Sequence, residues 1–259
     1  MAKIISIHSF RGGTGKSNLT ANLAVLLATE GKRVAVVDTD LQSPGIHVLF
    51  GLKQQEVKHS LNEYLFGQCE ISQAAHDVTA NLNRHDGDQA ESGVQGQIFL
   101  IPASMKTGEI ARVLREGCNV DVLRDGIRRL VSVLKLDVLL IDTHPGINEE
   151  TLLSIASSDA LVVIMRPDQQ DYQGTHVTLE VARKLGVKRL MIVVNKAPKI
   201  FRLEDIRTQV AQTYNCQVGA VLPHSDTLMN LGSAEVFVLR YPDHAITGLL
   251  KDVANLLTQ

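Results

Sequence analysis

Short runs of β-branched and aliphatic residues alternate along the chain with longer stretches in which apolar positions recur every three or four residues. Runs such as Val34-Ala35-Val36-Val37 and Val138-Leu139-Leu140-Ile141 lack polar alternation, the mark of strands buried on both faces. The pattern predicts strands near residues 3–8, 33–38, 97–102, 137–142, 160–165, 189–195 and 217–222. It predicts helices over about 16–30, 121–135, 149–157, 172–186, 203–213 and 243–258. Strands alternating with helices predict an α/β fold: a doubly wound, mostly parallel sheet flanked by helices. Residues 76–96, rich in Asp, Asn, Gln and Gly, read as an exposed excursion ahead of the strand at Ile98. No repeat or low-complexity linker divides the sequence, so residues 1–259 read as a single domain.

Composition narrows the class. A chain of 259 residues with 44% hydrophobic content and a net charge of −2 can bury a large core, which excludes fibrous and disordered proteins. No apolar run reaches the ~20 residues of a membrane-spanning helix. Met1-Ala2-Lys3 leads directly into a strand rather than into a signal peptide, which predicts a cytoplasmic protein. Cys69, Cys118 and Cys216 are far apart and form no C-x-x-C pair. Their spacing indicates neither a disulfide framework nor a zinc site, and predicts inert or buried thiols.

The chemistry concentrates after the first strand. Arg11-Gly12-Gly13-Thr14-Gly15-Lys16-Ser17 follows Ile4-Ile5-Ser6-Ile7 and opens into the helical spacing of Leu19, Leu23, Leu26 and Leu27. Glycines let the backbone turn its N–H groups inward, where they and the positive end of the next helix hold anionic oxygens. Lys16 would reach the β- and γ-phosphates of a nucleotide, and the Ser17 hydroxyl would coordinate Mg²⁺. Thr14 and Asn18 complete the candidate contacts of this loop. In a doubly wound sheet the ligand lies outside the carboxyl ends of the strands. Two such ends carry carboxylates. The second strand runs into Asp38-Thr39-Asp40, and the fourth ends in Ile141-Asp142-Thr143-His144-Pro145-Gly146. A carboxylate at the tip of an apolar strand is costly without a partner, and Mg²⁺ is a natural one. Ser17, Asp40 and Asp142 are therefore the candidate metal ligands.

The usual phosphate-loop spacing, G-x-x-x-x-G-K-[ST], would place its first glycine at Phe10; here the glycines crowd behind a basic residue. The loop resembles the deviant Walker A motif of the MinD/ParA family, K-G-G-x-G-K-[ST], with Arg11 in place of the signature lysine. That resemblance implies a P-loop fold, ATP and Mg²⁺ as ligands, ATP-dependent homodimerisation and slow hydrolysis. It implies that Arg11 crosses the dimer interface to the partner's phosphates, although a forked guanidinium differs from an ammonium. Lys16, Asp40 and Arg11 are then the candidate catalytic residues, with Asp40 matching the carboxylate that orients the attacking water. Asp142-Thr143-His144-Pro145-Gly146 fits the family pattern D-T-x-P-G, so Gly146 would donate its N–H to the γ-phosphate. His144 reads as a switch or solvent-facing residue rather than a base. Asn195 resembles the family's adenine-reading position, and Pro223 the proline that packs around the base. Asp168 falls where the family has its dimer interface.

The implied function is an ATP hydrolase that acts as a nucleotide-controlled dimerisation switch in positioning or partitioning a cargo. The cargo is not legible. Arg183, Lys184, Lys188 and Arg189, and Lys196, Lys199, Arg202 and Arg207, leave nonspecific DNA open as a partner. The segment from Ile246 to Leu257 is amphipathic, but its only charges are Lys251 and Asp252. It reads as a helix packed on the domain rather than a lipid anchor. The dispersed cysteines argue against a metal or iron–sulfur maturation ATPase, and the lack of a tyrosine cluster after Tyr241 against an autokinase. A nucleotide-bound scaffold with negligible hydrolysis is the first alternative, because Arg11 replaces the signature lysine, and the maturation ATPase ranks below it.

Overall fold

The computed structural model describes residues 2–83 and 93–259. In chain order its elements are β1 (Lys3–His8), α1 (Lys16–Thr29), β2 (Arg33–Asp38), α2 (Ile46–Leu49), α3 (Leu61–Leu65), β3 (His76–Asp77), α4 (Thr79–Leu82) and β4 (Gln97–Ile101). There follow α5 (Thr107–Glu116), α6 (Val120–Val133), β5 (Val138–Asp142), α7 (Glu149–Ala156), β6 (Ala160–Met165), α8 (Gln169–Lys184) and β7 (Arg189–Ala197). The chain closes with α9 (Leu203–Tyr214), β8 (Gln217–Pro223), α10 (Asp226–Asn230), α11 (Phe237–Arg240) and α12 (Ala245–Thr258).

All eight strands join one sheet in the order β3-β4-β2-β5-β1-β6-β7-β8. Every pairing is parallel except that of β3 with β4. The sheet is buried on both sides, and successive residues of a strand enter different cores. Val34, Val36, Val138, Leu140, Val162 and Val193 face one cluster, shared with α1 and α12. On the opposite face Ala35, Val37, Leu139 and Ile141 pack with α3 and α6, while Leu161, Val163, Ile192 and Val194 pack with α8 and α9. This two-sided burial is why the strands read as uninterrupted apolar runs.

Helix α1 is buried without a break from Leu19 to Ala28, so its pattern is apolar nearly all round rather than striped. In α12, Ile246, Leu250, Val253 and Leu257 are buried in the same cluster, and Leu249 and Leu256 pack against it. The apolar stripe of the last helix is spent on packing. No helix among the described residues is long and apolar enough to cross a membrane.

The expected excursion at 76–96 needs correcting where it can be seen. His76 and Asp77 form the antiparallel edge strand, α4 follows, and Val78, Leu82 and Val94 are buried in the core. Polar composition hid three apolar anchors spaced too widely to register as an element. Residues 84–92 of that stretch lie outside the described residues. Helix α5 lies outside the predicted elements although Ile110, Val113 and Leu114 recur at helical spacing; only Val113 of it is buried.

Between β5 and β6 the chain crosses from one side of β1 to the other, so the strand order reverses at β1. The crevice beyond the carboxyl ends of β1, β2 and β5 is where such a sheet places a ligand.

Candidate functional site

The loop from β1 to α1 occupies that crevice. Gly13 (φ 76°) and Gly15 (φ 97°) adopt the left-handed backbone that side chains disfavour. Gly15 caps α1 without a side-chain hydrogen bond, and the first turn of α1 holds no acidic residue. Its free N–H groups and the helix dipole therefore face the loop, ready for an anion. A cavity of about 310 Å³ opens there, lined by Gly12, Gly13, Thr14, Gly15, Lys16, Ser17 and Asn18 together with Asp40, Pro145 and Ser233.

Beneath the loop three donors converge on the buried carboxylate of Asp142. Lys16 Nζ donates to Oδ1 at 2.9 Å, Thr20 Oγ1 donates to Oδ1 at 2.9 Å, and Ser17 Oγ donates to Oδ2 at 2.7 Å. Asp142 ends β5, directly opposite Asp38 at the end of β2. Asp38 accepts the Asp40 N–H on Oδ1 at 3.0 Å, while its buried Oδ2 has no partner. Burial, and then the neighbouring Asp142 charge, push Asp38 well above the ordinary carboxylate range. Oxygen donors from Ser17, Asp142 and the unsatisfied Asp38 make a hard-ligand set that fits Mg²⁺.

Asp40 lines the cavity with its carboxylate held by the Ser43 N–H at 3.0 Å and lies 3.8 Å from His144 Nε2. Burial raises the Asp40 carboxyl, opposed by His144 and Lys16. It makes no hydrogen bond to Ser17 or Asp142 among those of the described residues.

Other predicted positions stand apart from the cavity lining. Asn195 braces the loop from behind: Nδ2 donates to the Thr14 carbonyl at 2.8 Å and Oδ1 accepts the Lys196 N–H at 2.8 Å. Lys196 Nζ adds a bond to the Gly13 carbonyl at 2.8 Å. Gly146 (φ 83°) donates its N–H to the Ser9 carbonyl at 3.2 Å. Pro223 ends β8 opposite Ala197. Arg11 turns sideways, with Nη1 3.6 Å from Asp168 Oδ1 and 3.5 Å from Asp171 Oδ1. Arg166 contacts the same two aspartates from the other side.

Sequence reasoning missed three contributors. Thr20 lies one turn after Lys16, a spacing that places both on one helix face. Asp38 reads as a turn-forming residue, which it also is, and its facing of Asp142 depends on strand register. His8 is fully buried, with Nδ1 2.7 Å from Thr143 Oγ1 and Nε2 unpartnered. Burial, then Lys16 and His144, lower its pKa to about 3.

The AAA domain family matches residues 2–192. An uncharacterised ATP-binding protein of Methanocaldococcus jannaschii is 31% identical over 259 residues, covering 99% of this chain and 88% of that protein. The septum site-determining protein MinD of Pyrococcus horikoshii, solved with Mg-ADP, superposes with a TM-score of 0.79 at 21% identity, over 99% of this chain and 96% of the other. The MinC:MinD cell division complex of Aquifex aeolicus gives a TM-score of 0.78 at 16% identity, over 100% and 97%. By its matched domain the chain belongs to the AAA domain family, and its fold is that of the MinD cell division proteins.

Proposed function

We propose that this chain is a Mg²⁺-dependent ATP hydrolase of the cytoplasm whose nucleotide state controls the pairing of two copies and, through it, the placement of a partner or cargo. The observation that carries the reading is the convergence of Lys16, Ser17 and Thr20 on Asp142 beneath a glycine loop at a helix N-terminus. The loop N–H groups and Lys16 hold the β- and γ-phosphates and neutralise charge as the terminal phosphoryl group leaves. Ser17 and Asp142, with Asp40 nearby, would hold Mg²⁺, which would supply positive charge against the phosphates. Asp40 orients the attacking water and accepts its proton, since a carboxyl raised by burial is a better base than an ordinary one. Gly146, whose N–H now goes to Ser9, is positioned on a segment that a γ-phosphate can recruit. Asn195 reads adenine only if it exchanges its bond to Thr14; in its present geometry it stiffens the loop.

Support for a positioning role comes from similarity to a septum site-determining protein and to a cell division complex with MinC. The test is ATP turnover and sedimentation of the purified chain and of Asp40→Ala. The expected result is Mg²⁺-dependent hydrolysis and ATP-dependent pairing in the parent, with Asp40→Ala binding ATP, failing to hydrolyse it and accumulating as the paired form. No binding at millimolar ATP would overturn the reading. Equal background rates in both proteins, with binding intact, would make the chain a nucleotide-bound scaffold instead. Binding to DNA that requires ATP and weakens with salt would identify nucleic acid as the platform.

A further inference from the structure

Far from the phosphate loop in function, three metal-ligating side chains meet around α3. His59, Glu63 and Cys69 each offer one donor atom, and the three atoms lie within 4.8 Å of one another. We propose that His59, Glu63 and Cys69 form a binding site for a divalent transition-metal ion of the zinc class, separate from the nucleotide site.

The surroundings are those of a held ligand set. Ser60 caps α3, accepting the Glu63 N–H and donating its own N–H to Glu63 Oε2, each at 3.2 Å. Lys106 Nζ donates to Glu63 Oε1 at 2.6 Å, and His59 Nδ1 lies 3.1 Å from Oε2. The His59 carbonyl accepts from His76 Nε2 at 2.8 Å, which ties the ligand's backbone to the edge strand. Such outer contacts orient metal ligands. Helix capping accounts for His59 and Glu63, but not for a thiol brought beside them.

Zinc bonds of about 2.0–2.3 Å in a tetrahedron put donors about 3.3–3.8 Å apart, so the widest edge must shorten by roughly 1 Å. Half-buried side chains can supply that by small rotamer changes. Imidazole, thiolate and carboxylate together suit zinc rather than magnesium. A cavity of about 100 Å³ walled by His59, Ser60 and Glu63 leaves space for water as a fourth ligand. Binding would release the Cys69 thiol proton to solvent and place the His59 proton on Nε2, freeing the Nδ1 lone pair. The spacing H-x₃-E-x₅-C is not a C-x-x-C pattern, so cysteine spacing alone does not reveal it. No other such triad is found among the described residues.

The test is titration of the reduced, nucleotide-free chain with Co²⁺, followed by displacement with Zn²⁺. One Co²⁺ per chain is expected, with thiolate-to-cobalt charge-transfer absorption that Zn²⁺ removes. Cys69→Ser should abolish that band, Cys118→Ser and Cys216→Ser should retain it, and His59→Ala should weaken affinity about tenfold or more. Circular dichroism confirms that each variant is folded. Absence of the band in the parent, or its survival in folded Cys69→Ser, would overturn the proposal. The phosphate-loop residues offer only oxygen donors and cannot produce this band, so the outcome is independent of the ATPase reading.

Discussion

The Lys16 ammonium lies 2.9 Å from the Asp142 carboxylate, and both groups are buried. Within the chain Asp142 is the counter-ion of the loop lysine, and it also receives Ser17 and Thr20. Removing it leaves the buried ammonium without its hydrogen-bonded counter-ion. Asp142→Ala is expected to cost about 3–5 kcal/mol of stability, the usual effect of breaking one side of a buried pair. Ser17→Ala loses one hydrogen bond and should cost about 1 kcal/mol. Urea unfolding at unchanged slope checks both. An Asp142→Ala loss below about 1 kcal/mol would mean that Lys16 finds water or another partner.

Arg11 sits in a square of charge with Asp168, Asp171 and Arg166. Its own contacts exceed 3.4 Å and its side chain is 39% exposed, so the network restrains it weakly. Arg166 keeps both aspartates occupied when Arg11 leaves. Arg11→Ala is therefore expected to shift stability by less than about 1 kcal/mol and to leave ATP affinity of the isolated chain within about threefold. ATP-dependent pairing should weaken about tenfold or more. Sedimentation with and without ATP, beside a nucleotide titration, separates the two. Loss of ATP binding equal to the loss of pairing would place Arg11 on its own nucleotide rather than on that of a second copy.

The sheet was legible because its strands are buried on both faces, which leaves runs such as Leu139-Leu140-Ile141 with no competing helical period. The loop was legible because Gly13 and Gly15 must take left-handed backbone ahead of Lys16 and Ser17. Contacts that depend on tertiary register were not. Asp38 meets Asp142 only because β2 and β5 pair in the register that sets these two ends side by side. Thr20 looks like any helix threonine until Asp142 is beneath it. The edge strand at His76 is two residues long, too short to show a period. Cys69 gains neighbours from a capping turn, where its spacing from other cysteines carries no information.

Gly174 in α8 packs against the ring of Phe10, the residue before Arg11. A Cβ at Gly174 would lie 2.2 Å from a Phe10 ring carbon. Alanine is the better helix former by about 1 kcal/mol, yet the overlap should dominate and make Gly174→Ala destabilising by about 1–3 kcal/mol. Because the clash is with one side chain, Phe10→Ala in the same chain should relieve it. The double-mutant cycle should then show coupling of about 1 kcal/mol or more. Additive losses would mean that Phe10 swings clear without cost, and that α8 does not fix the start of the loop.

His8 gives the fold a pH dependence with a definite sign. Thr143 Oγ1 donates to the Ile7 carbonyl at 3.0 Å, so it accepts from His8, which must carry its proton on Nδ1. Burial holds the ring neutral, with its pKa lowered from 6.5 to about 3. Between those values the unfolded chain binds a proton that the folded chain refuses. Stability should therefore fall as pH drops through that window, by up to about 1.4 kcal/mol per pH unit from this residue, and the effect should vanish above it. His8→Asn keeps an N–H for Thr143 without a titrating ring. Urea midpoints measured across this range should give a shallower acid slope for the variant and parallel curves at neutral pH and above. An unchanged slope would mean that the folded chain admits the proton, with Nε2 finding an acceptor near the loop.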